Sequence, residues 1–576
     1  LVEFLKKGDV IYEGYYDSTC TYELDETPPF NMDEEAIDIA LQICLLFKMN
    51  IIKELHICRK NYVDGSVPGG FQRTASIGWD GELLLKSGKI IGIESIFLEE
   101  DAARRTDTKE KTIYFRVDRL GIPLVEITTT PDIKHPEEAR DAAYRIGLLL
   151  RSTGNVKRVL GSTRQDINIS IAEGERIEIK GVQKLDWIPI LVENEVKRQL
   201  ALVKIKKSLE KSDYQPSDIK NDAQNVTDIF KDTDCKFMNS GIKHKKKVMG
   251  MKVPGFNGLY GVETLPNQRF GTEVAGKVKV LTRLQGLIHS DEDLEKKYHF
   301  SPKEIEAAKE RLDVGKDDLF ILLMGGRKEM EKAFDIIVKR TKAVFGGVPP
   351  ETRRAEEDGT TTFLRELSGG RRLYPDTDSL PVTLDEEQIE EIEKNLGPYP
   401  WDVIEKYSEK YDLEEDAIET MITKGKISLF ETLVDVIPDE AMLIYITITE
   451  QVKSLRRDGL DTKNLSESHF VDLFKALKNE DIAKEAFEKI LTLWTKKPEL
   501  SIEKAIEEAG IETINDEELT HIIEETVNKN IDLVKERGMG AMGPLMGDLM
   551  QTLGRGAVDG KVLSQKLRKM IQKYKS

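Results

Sequence analysis

The sequence predicts a multidomain α+β protein: a mixed region with antiparallel strands, an inserted α+β unit, and an all-helical remainder. Three observations carry this. At 576 residues the chain exceeds what one hydrophobic core organises, and roughly three to five domains are expected. Residues 164–180 alternate polar and apolar positions with the period of two that strands require. Beyond Pro381 the composition turns to Glu- and Lys-rich helical sequence without an evident repeat.

The hydrophobic content of 39% suffices for globular folding, and no run approaches the ~18 apolar residues of a membrane span. Residues Leu1–Lys7 lack the features of a signal peptide. The chain has no initiator methionine, so a true N-terminus upstream is expected. Cys20, Cys44, Cys58 and Cys235 form no C-x-x-C pair, which predicts neither a zinc site nor a disulfide framework but reduced thiols in a cytoplasmic protein. With 104 acids against 86 bases, a formal −18, a general nucleic-acid coat protein is excluded. Two basic patches still allow local RNA contact: Lys243–Lys247, and the terminal Lys561, Lys566, Arg568, Lys569, Lys573 and Lys575.

Asn31 reads as a helix N-cap, and Ile37, Ala40, Leu41, Cys44 and Leu45 follow at helical spacing. A second helix is expected from Pro136 to about Gly154. Arg164–Ile171 and Arg176–Lys180 predict a hairpin whose buried face carries Ile167, Ile169, Ile171, Ile177 and Ile179. Pairing Ser170 with Glu178 and Asn168 with Lys180 meets that demand and leaves the short loop Glu173–Gly174–Glu175. Asp166, Asn168, Glu178 and Lys180 then cluster on the open face. Residues 205–245 read as a helix running into a polar linker. A compact α+β unit follows over 250–350, with Leu319–Met324 as a strand.

The densest polar constellation lies in three pieces: Arg59–Arg73, Leu98–Arg105 and Asp118–Thr128. Glu126 sits in Pro123-Leu-Val-Glu-Ile-Thr-Thr, otherwise a buried-strand pattern, where an unpaired carboxylate is expensive. It needs a cation: Mg²⁺ held by carboxylates beside substrate phosphates, or a structural partner such as Arg116 or Arg119.

Leu98-Glu-Glu-Asp-Ala102, Asp118–Ile127 with its Gly-Ile-Pro-Leu-Val-Glu-Ile core, Pro131–Ala139, Arg164–Ser170 and Glu178-Ile-Lys180 together resemble the B/E family of tRNA-dependent amidotransferase subunits. Gly69–Thr74, Leu98–Arg105 and Arg164–Ser170 are more similar to the archaeal glutamyl-tRNA(Gln) amidotransferase E branch than to the bacterial B branch, and the resemblance covers nearly the whole chain. It implies a "cradle" catalytic domain that uses ATP and Mg²⁺ to phosphorylate the γ-carboxylate of Glu-tRNA(Gln), after which ammonia displaces the phosphate. Glu100 and Glu126 match the family's Mg²⁺ ligands. Asp166, Asn168, Glu178 and Lys180 match the cradle floor, and Lys60 and Gln72 its rim. The family's opening Gly-Leu-Glu-x-His strand, whose His is also a ligand, is expected upstream of Leu1, and none of the chain's seven histidines is assigned to the metal.

The resemblance further implies an insertion similar to that of bacterial-type aspartyl-tRNA synthetases, carried by Phe270–Glu273 and Gly286–Asp291. Cradle sequence resumes at Arg372–Asp378. The expected domains are residues 1–249 for the cradle, 250–352 for the insertion, 353–382 for the return, 383–465 for a helical domain and 466–576 for a helical tail. In the tail, Gly538-Met-Gly-Ala-Met-Gly543 fits G-x-G-x-x-G, but no strand precedes it and Pro544 follows, so a loop between helices is expected instead of a dinucleotide site. Val562, Leu563, Leu567, Met570, Ile571 and Tyr574 form an apolar stripe opposite Lys561, Lys566, Arg568, Lys569 and Lys573; the bland reading is a solvated face, and the family implies a tRNA contact. No G-x-x-x-x-G-K-[ST] loop and no glycine-flanked amidase nucleophile occurs. Ammonia is therefore expected from a partner, which the family supplies as an asparaginase-like amidase subunit in an α2β2 hetero-oligomer. The competing readings are an aminoacyl-tRNA synthetase, whose class I signatures are absent, and a non-catalytic tRNA scaffold.

Overall fold

A computed structural model of the protein describes residues 9–109, 112–159, 161–367, 372–511, 516–553 and 560–575. They fall into two compact units, the first within Leu1–Gly147 and Val159–Leu396, the second within Leu148–Arg158 and Gly397–Ser576. The mixed α/β composition and antiparallel sheets of the first, and the helices of the second, match the expected class.

From the N-terminus run α1 (Glu34–Leu46), β1 (Ile57–Asn61), β2 (Phe71–Leu84), β3 (Ile90–Glu100), β4 (Pro123–Thr129), α2 (Pro136–Ser152, whose residues from Leu148 belong to the second unit), β5 (Gln165–Ile169) and β6 (Ile177–Val182). Then come α3 (Trp187–Leu209), β7 (Lys247–Val253), α4 (Phe270–Leu281), β8 (Leu319–Gly325), α5 (Arg327–Ala343), β9 (Glu351–Ala355), β10 (Thr361–Glu366) and β11 (Leu373–Pro375).

The first sheet has the order β11-β1-β2-β3-β4, antiparallel throughout. Helix α1 packs across β2 and β3, burying Ile37, Ala40, Leu41 and Cys44. Each large aliphatic group so buried contributes about 1.5–3 kcal/mol. Its cap is Asp33 rather than Asn31, the Asp33 carboxylate accepting from the Ala36 N–H at 2.8 Å. Gly78 allows close packing beneath this helix, because a Cβ there would lie 3.1 Å from Cys44 Sγ and from the Asn50 carbonyl, tighter than ordinary contact.

The second sheet has the order β5-β6-β9-β10. The β5–β6 hairpin forms, but in a register two residues from the expected one: Asn168 pairs with Glu178, and Ile169 with Ile177. A two-residue slip preserves the faces, so Ile169, Ile177 and Ile179 are buried as expected. The connection is longer because Gln199 of α3 donates to the Ile169 carbonyl at 3.2 Å, while the Gly174 N–H closes onto Ile171 at 2.9 Å. These bonds turn the chain before the ladder can extend. β9 runs parallel to β6, an exception to the antiparallel expectation that follows from the long crossover between them.

That crossover is the inserted unit, with its own sheet of Gln224–Asn225, β7, β8 and Ile288–His289. It is no appendage. Met251, Val253, Phe270, Val274, Ile321 and Phe334 share one core with Ile169, Ile177 and Ile179 of the second sheet and with Leu191 and Leu202 of α3. Its edges differ from those expected. Position 250 falls inside β7, and Val226, Phe230, Cys235 and Met238 are buried in the insertion's other core cluster, so the supposed linker is structural. Position 353 falls inside β9. The return continues past 382, since Val382–Thr383 pairs with Glu54–Leu55 and helix Glu386–Lys394 packs against α1.

In the second unit, helix Glu467–Lys478 packs against Ile427–Val436, so the helical region extends beyond 465. A separate cluster forms from Leu519 onward, where Leu545, Leu549, Leu563, Leu567 and Ile571 are buried. Gly538–Ala541 is a short 3-10 turn between helices Ile531–Arg537 and Met542–Leu553. Among the described residues no helix is long and apolar enough to cross a membrane.

Candidate active site

Strand alternation decides which polar groups meet on the first sheet. Lys60 pairs with Gln72, Thr74 with Glu99, and Phe97 with Glu126. Lys60, Gln72, Thr74, Glu99 and Glu126 therefore share the face away from α1. Lys60 Nζ donates to Glu99 Oε1 at 2.8 Å and to Glu126 Oε2 at 3.2 Å, and Thr74 Oγ1 donates to Glu99 Oε1 at 3.2 Å. The cation beside Glu126 is thus Lys60. Arg116 lies 3.5 Å from Glu13 and Arg119 2.9 Å from Asp101 instead. The strand pattern also misled in one respect: β4 is an edge strand, and the Glu126 side chain is 49% exposed.

Glu100 does not join this group. It faces the α1 side with Leu98 and pairs with Arg73, whose Nε donates to Glu100 Oε2 at 3.0 Å while Nη2 bonds Oε1. Tyr22 donates to the same carboxylate at 3.0 Å, and Arg73 Nη1 donates to the Phe30 carbonyl at 2.6 Å. The Arg73 side chain is 3% exposed. Glu100 and Glu126, expected together as metal ligands, lie on opposite faces of one sheet, and the carboxylate set beside Glu126 is Glu99. The signal was present in the sequence: Ile96 and Leu98 carry the buried phase of β3, which continues to Glu100 and leaves Glu99 on the open face.

The electrostatics of the pair follow from its setting. Burial and then the Glu126 charge push the Glu99 carboxyl above its ordinary range, against Lys60. Against its own desolvation, Glu126 is held below the ordinary range by the Glu99 hydrogen bond, Lys60 and Lys180. The two carboxylates are thus pushed in opposite directions, with Lys60 between them. Gln72 is buried beside them, its amide N–H donating to the Glu100 carbonyl while its Oε1 has no partner.

The second sheet provides the floor. Asp166, Asn168, Glu178 and Lys180 share its open face, as predicted. Lys180 Nζ bonds Asp166 and lies 3.1 Å from Glu178 Oε1, and Thr352 Oγ1 donates to Glu178 Oε2 at 2.8 Å. Against burial, Thr352, Lys180 and Arg365 hold the Glu178 carboxyl below its usual range, and Asp166 and Glu178 raise Lys180. The Lys180 charge acts on Glu126, and Arg164 reaches Asp101 at 3.4 Å, so the two sheets contribute to one polar surface. Thr352 and Arg365 were missed from sequence, because β9 and β10 reach this face only through pairing across the whole insertion.

The return segment braces the rim. Arg59 Nε donates to Asp376 Oδ1 at 2.8 Å, and the Asp376 N–H donates to the Ile57 carbonyl at 2.9 Å, fixing Tyr374-Pro375-Asp376 against β1.

Glu99 and Glu126 are the carboxylates here that could hold a divalent cation. Among the described residues no group of three or more His, Cys, Asp or Glu side chains gathers as a ligand cluster, and the Glu99–Glu126 pair supplies two carboxylates on one face. Mg²⁺ characteristically binds one or two carboxylates beside substrate phosphates.

In the tail, helix Gly560–Lys575 buries Leu563, Leu567 and Ile571, with Met570 and Tyr574 partly buried. Val562 is 41% exposed and so departs from the expected stripe. Arg568, Lys569 and Lys573 are exposed, and Lys566 lies 3.4 Å from Thr520 Oγ1. The Lys561 side chain lies outside the described residues.

Residues 18–390 match the family model described as the GatB/GatE catalytic domain, and residues 428–571 match a GatB domain. Proteins named as the E-type subunit of glutamyl-tRNA(Gln) amidotransferase align along essentially the whole chain. The one from Thermococcus sibiricus is 42% identical, covering 100% of this chain and 90% of its own. Those from Methanocaldococcus jannaschii and Methanococcus maripaludis are 41% and 39% identical, each covering 99% of this chain and 90% of its own. A catalytic-domain match over more than half the chain, with relatives this similar throughout, means that the chain belongs to the GatB/GatE family of amidotransferase subunits, among its archaeal GatE members.

Proposed function

We propose that the open face of the first sheet and the floor of the second form the site where this protein activates the γ-carboxylate of Glu-tRNA(Gln) with ATP and passes it to ammonia. The observation that carries the reading is the carboxylate pair Glu99–Glu126 bridged by Lys60 Nζ at 2.8 and 3.2 Å, within reach of the Lys180 charge on the floor. A carboxylate is a poor acyl donor until one oxygen becomes a phosphate leaving group. Transfer of the γ-phosphoryl group of ATP to the γ-carboxylate gives an acyl phosphate and ADP. Attack of ammonia on the acyl carbon then forms the amide and expels inorganic phosphate.

Such transfers need positioning and charge neutralisation more than a protein nucleophile. Glu99 and Glu126 would hold Mg²⁺, which supplies Lewis-acid neutralisation of phosphate charge when bound. Lys60, whose ammonium lies between the two carboxylates, would offer its charge to a phosphate oxygen. Lys180, fixed between Asp166 and Glu178, presents a cation from the floor. Gln72 offers its unpartnered buried oxygen to a substrate N–H or O–H. Ammonia would come from an asparaginase-like partner subunit, in an assembly we take as α2β2. The tail residues Lys561, Lys566, Arg568, Lys569 and Lys573 would contact the phosphates of the tRNA.

The test is the nucleotide product formed by the chain, in complex with its ammonia-supplying subunit, on Glu-tRNA(Gln). ADP and phosphate released in step with Gln-tRNA(Gln) support the reading. AMP and pyrophosphate would replace it with a synthetase-type adenylation.

A further inference from the structure

Arg365 lies on β10, opposite Thr352 in the ladder, and so points to the same open face as Glu178 and Lys180. Three other cations of this polar surface are committed. Lys180 is held by Asp166 and Glu178, Lys60 by Glu99 and Glu126, and Arg354 by Glu356 at 3.1 Å. Among the described residues Arg365 alone of these has no hydrogen-bond or ion-pair partner.

The reason lies in what its neighbours do. Glu178, the carboxylate whose charge Arg365 feels, has both oxygens engaged, Oε2 by the Thr352 hydroxyl at 2.8 Å and Oε1 by Lys180 at 3.1 Å. Glu366, next along the strand, is turned to the opposite face, where it binds Lys339 at 2.8 Å and approaches Lys277 at 3.9 Å. Thr352 is itself fixed, being fully buried between Glu351 and Arg353, which are joined to each other and lie in the buried ion network around Arg198. Glu178 and Glu366 are thus both engaged by other partners, and neither pairs with the guanidinium on the site's own face. A planar five-donor fork left open in this way suits a bidentate oxyanion.

We propose that Arg365 is a further substrate-binding residue that takes a phosphate group of the bound nucleotide, and that Thr352 is a positioning residue keeping Glu178 from neutralising it. This rests on the reading of the site given above. The chain supplies the charge from β10, across the floor from the carboxylates of the first sheet.

The test is a titration of the complex (this chain with its ammonia-supplying subunit) with ATP and with a non-hydrolysable ATP analogue in Mg²⁺, together with KM for ATP and for Glu-tRNA(Gln). Arg365→Ala should weaken nucleotide binding roughly tenfold and raise KM for ATP, leaving KM for Glu-tRNA(Gln) unchanged. Arg365→Lys, which keeps charge but not the fork, should fall between. Thr352→Val should weaken nucleotide binding in the same direction by freeing Glu178 toward Arg365, while Thr352→Ser should behave as wild type. Nucleotide binding unchanged within about twofold in Arg365→Ala overturns the assignment, as does a rise confined to KM for Glu-tRNA(Gln). If the wild-type complex turned over ATP normally beside such a variant, only the Arg365 role would fall. A wild-type complex binding no nucleotide would take the parent reading with it.

Discussion

Glu99 and Glu100 are neighbours in one strand, and exchanging each for glutamine should produce opposite phenotypes. Glu100→Gln removes the charge that Arg73 meets through its Nε and Nη2 donors. The Arg73 side chain is 3% exposed, so its guanidinium would be left with the Phe30 carbonyl and the Ser379 hydroxyl as neutral partners. Breaking a buried pair from one side typically costs 3–5 kcal/mol, and the remaining bonds place this case near about 3 kcal/mol. For a unit of roughly 400 residues, with about 0.8 kcal/mol/K of unfolding entropy, Tm should drop by about 4 °C. The Mg²⁺ requirement of ATP turnover should stay near wild type. Glu99→Gln should do the reverse. Because the folded state raises the Glu99 pKa, it disfavours the charged form, so a neutral isostere leaves Tm unchanged or slightly higher. Losing one of two carboxylates should lower Mg²⁺-dependent turnover by at least about 100-fold, the upper range seen for outer-shell partners. Thermal unfolding by circular dichroism and ADP release over a Mg²⁺ series measure both. The reasoning fails if Glu100→Gln abolishes Mg²⁺ dependence at unchanged Tm while Glu99→Gln behaves as wild type.

Replacing Lys566, Arg568 and Lys569 together by Ala should weaken tRNA affinity and reduce the slope of log K against log salt by about 2–3, read by filter binding over a salt series; an unchanged slope removes the tail from the interface. Gly271→Ala would place a Cβ 2.4 Å from Nε2 of His289, a ring only 4% exposed and packed on Tyr260, and should cost about 1–3 kcal/mol in thermal unfolding. Burial alone would raise the Glu273 carboxyl, but Arg198, Arg353 and Arg340 bring it from the usual 4.5 to about 2. Its stabilisation is therefore full above about pH 4.5 and lost as pH falls toward about 2. Glu273→Gln should lower Tm at pH 7 yet flatten the Tm–pH curve across that acid window; parallel curves would contradict the assignment.

Local periodicity made much of this architecture legible. The α1 and α2 spans, the open face of Asp166, Asn168, Glu178 and Lys180, and the turn between helices at Gly538–Ala541 all follow from patterns a few residues long. What escaped was set at long range. The β5–β6 register shifts because Gln199, on a helix formed later in the chain, claims the Ile169 carbonyl. The partner of Glu126 is Lys60 because β1 and β4 lie on the same sheet with β2 and β3 between them, an arrangement no local pattern encodes. That Glu99 rather than Glu100 shares the face of Glu126 is set by strand phase, which Ile96 and Leu98 carry. Thr352 and Arg365 enter the floor only because the insertion returns the chain parallel to β6. The insertion's edges were misplaced since its core is shared with the floor sheet, so composition does not change where the topology does.

The most direct measurement of the central claim is the nucleotide product profile of the complex on Glu-tRNA(Gln), for the wild type beside Glu126→Gln. The account predicts Mg²⁺-dependent release of ADP and phosphate, equimolar with Gln-tRNA(Gln), and loss of both in the variant while tRNA still binds. Release of AMP and pyrophosphate, or wild-type ADP release by Glu126→Gln, would contradict it.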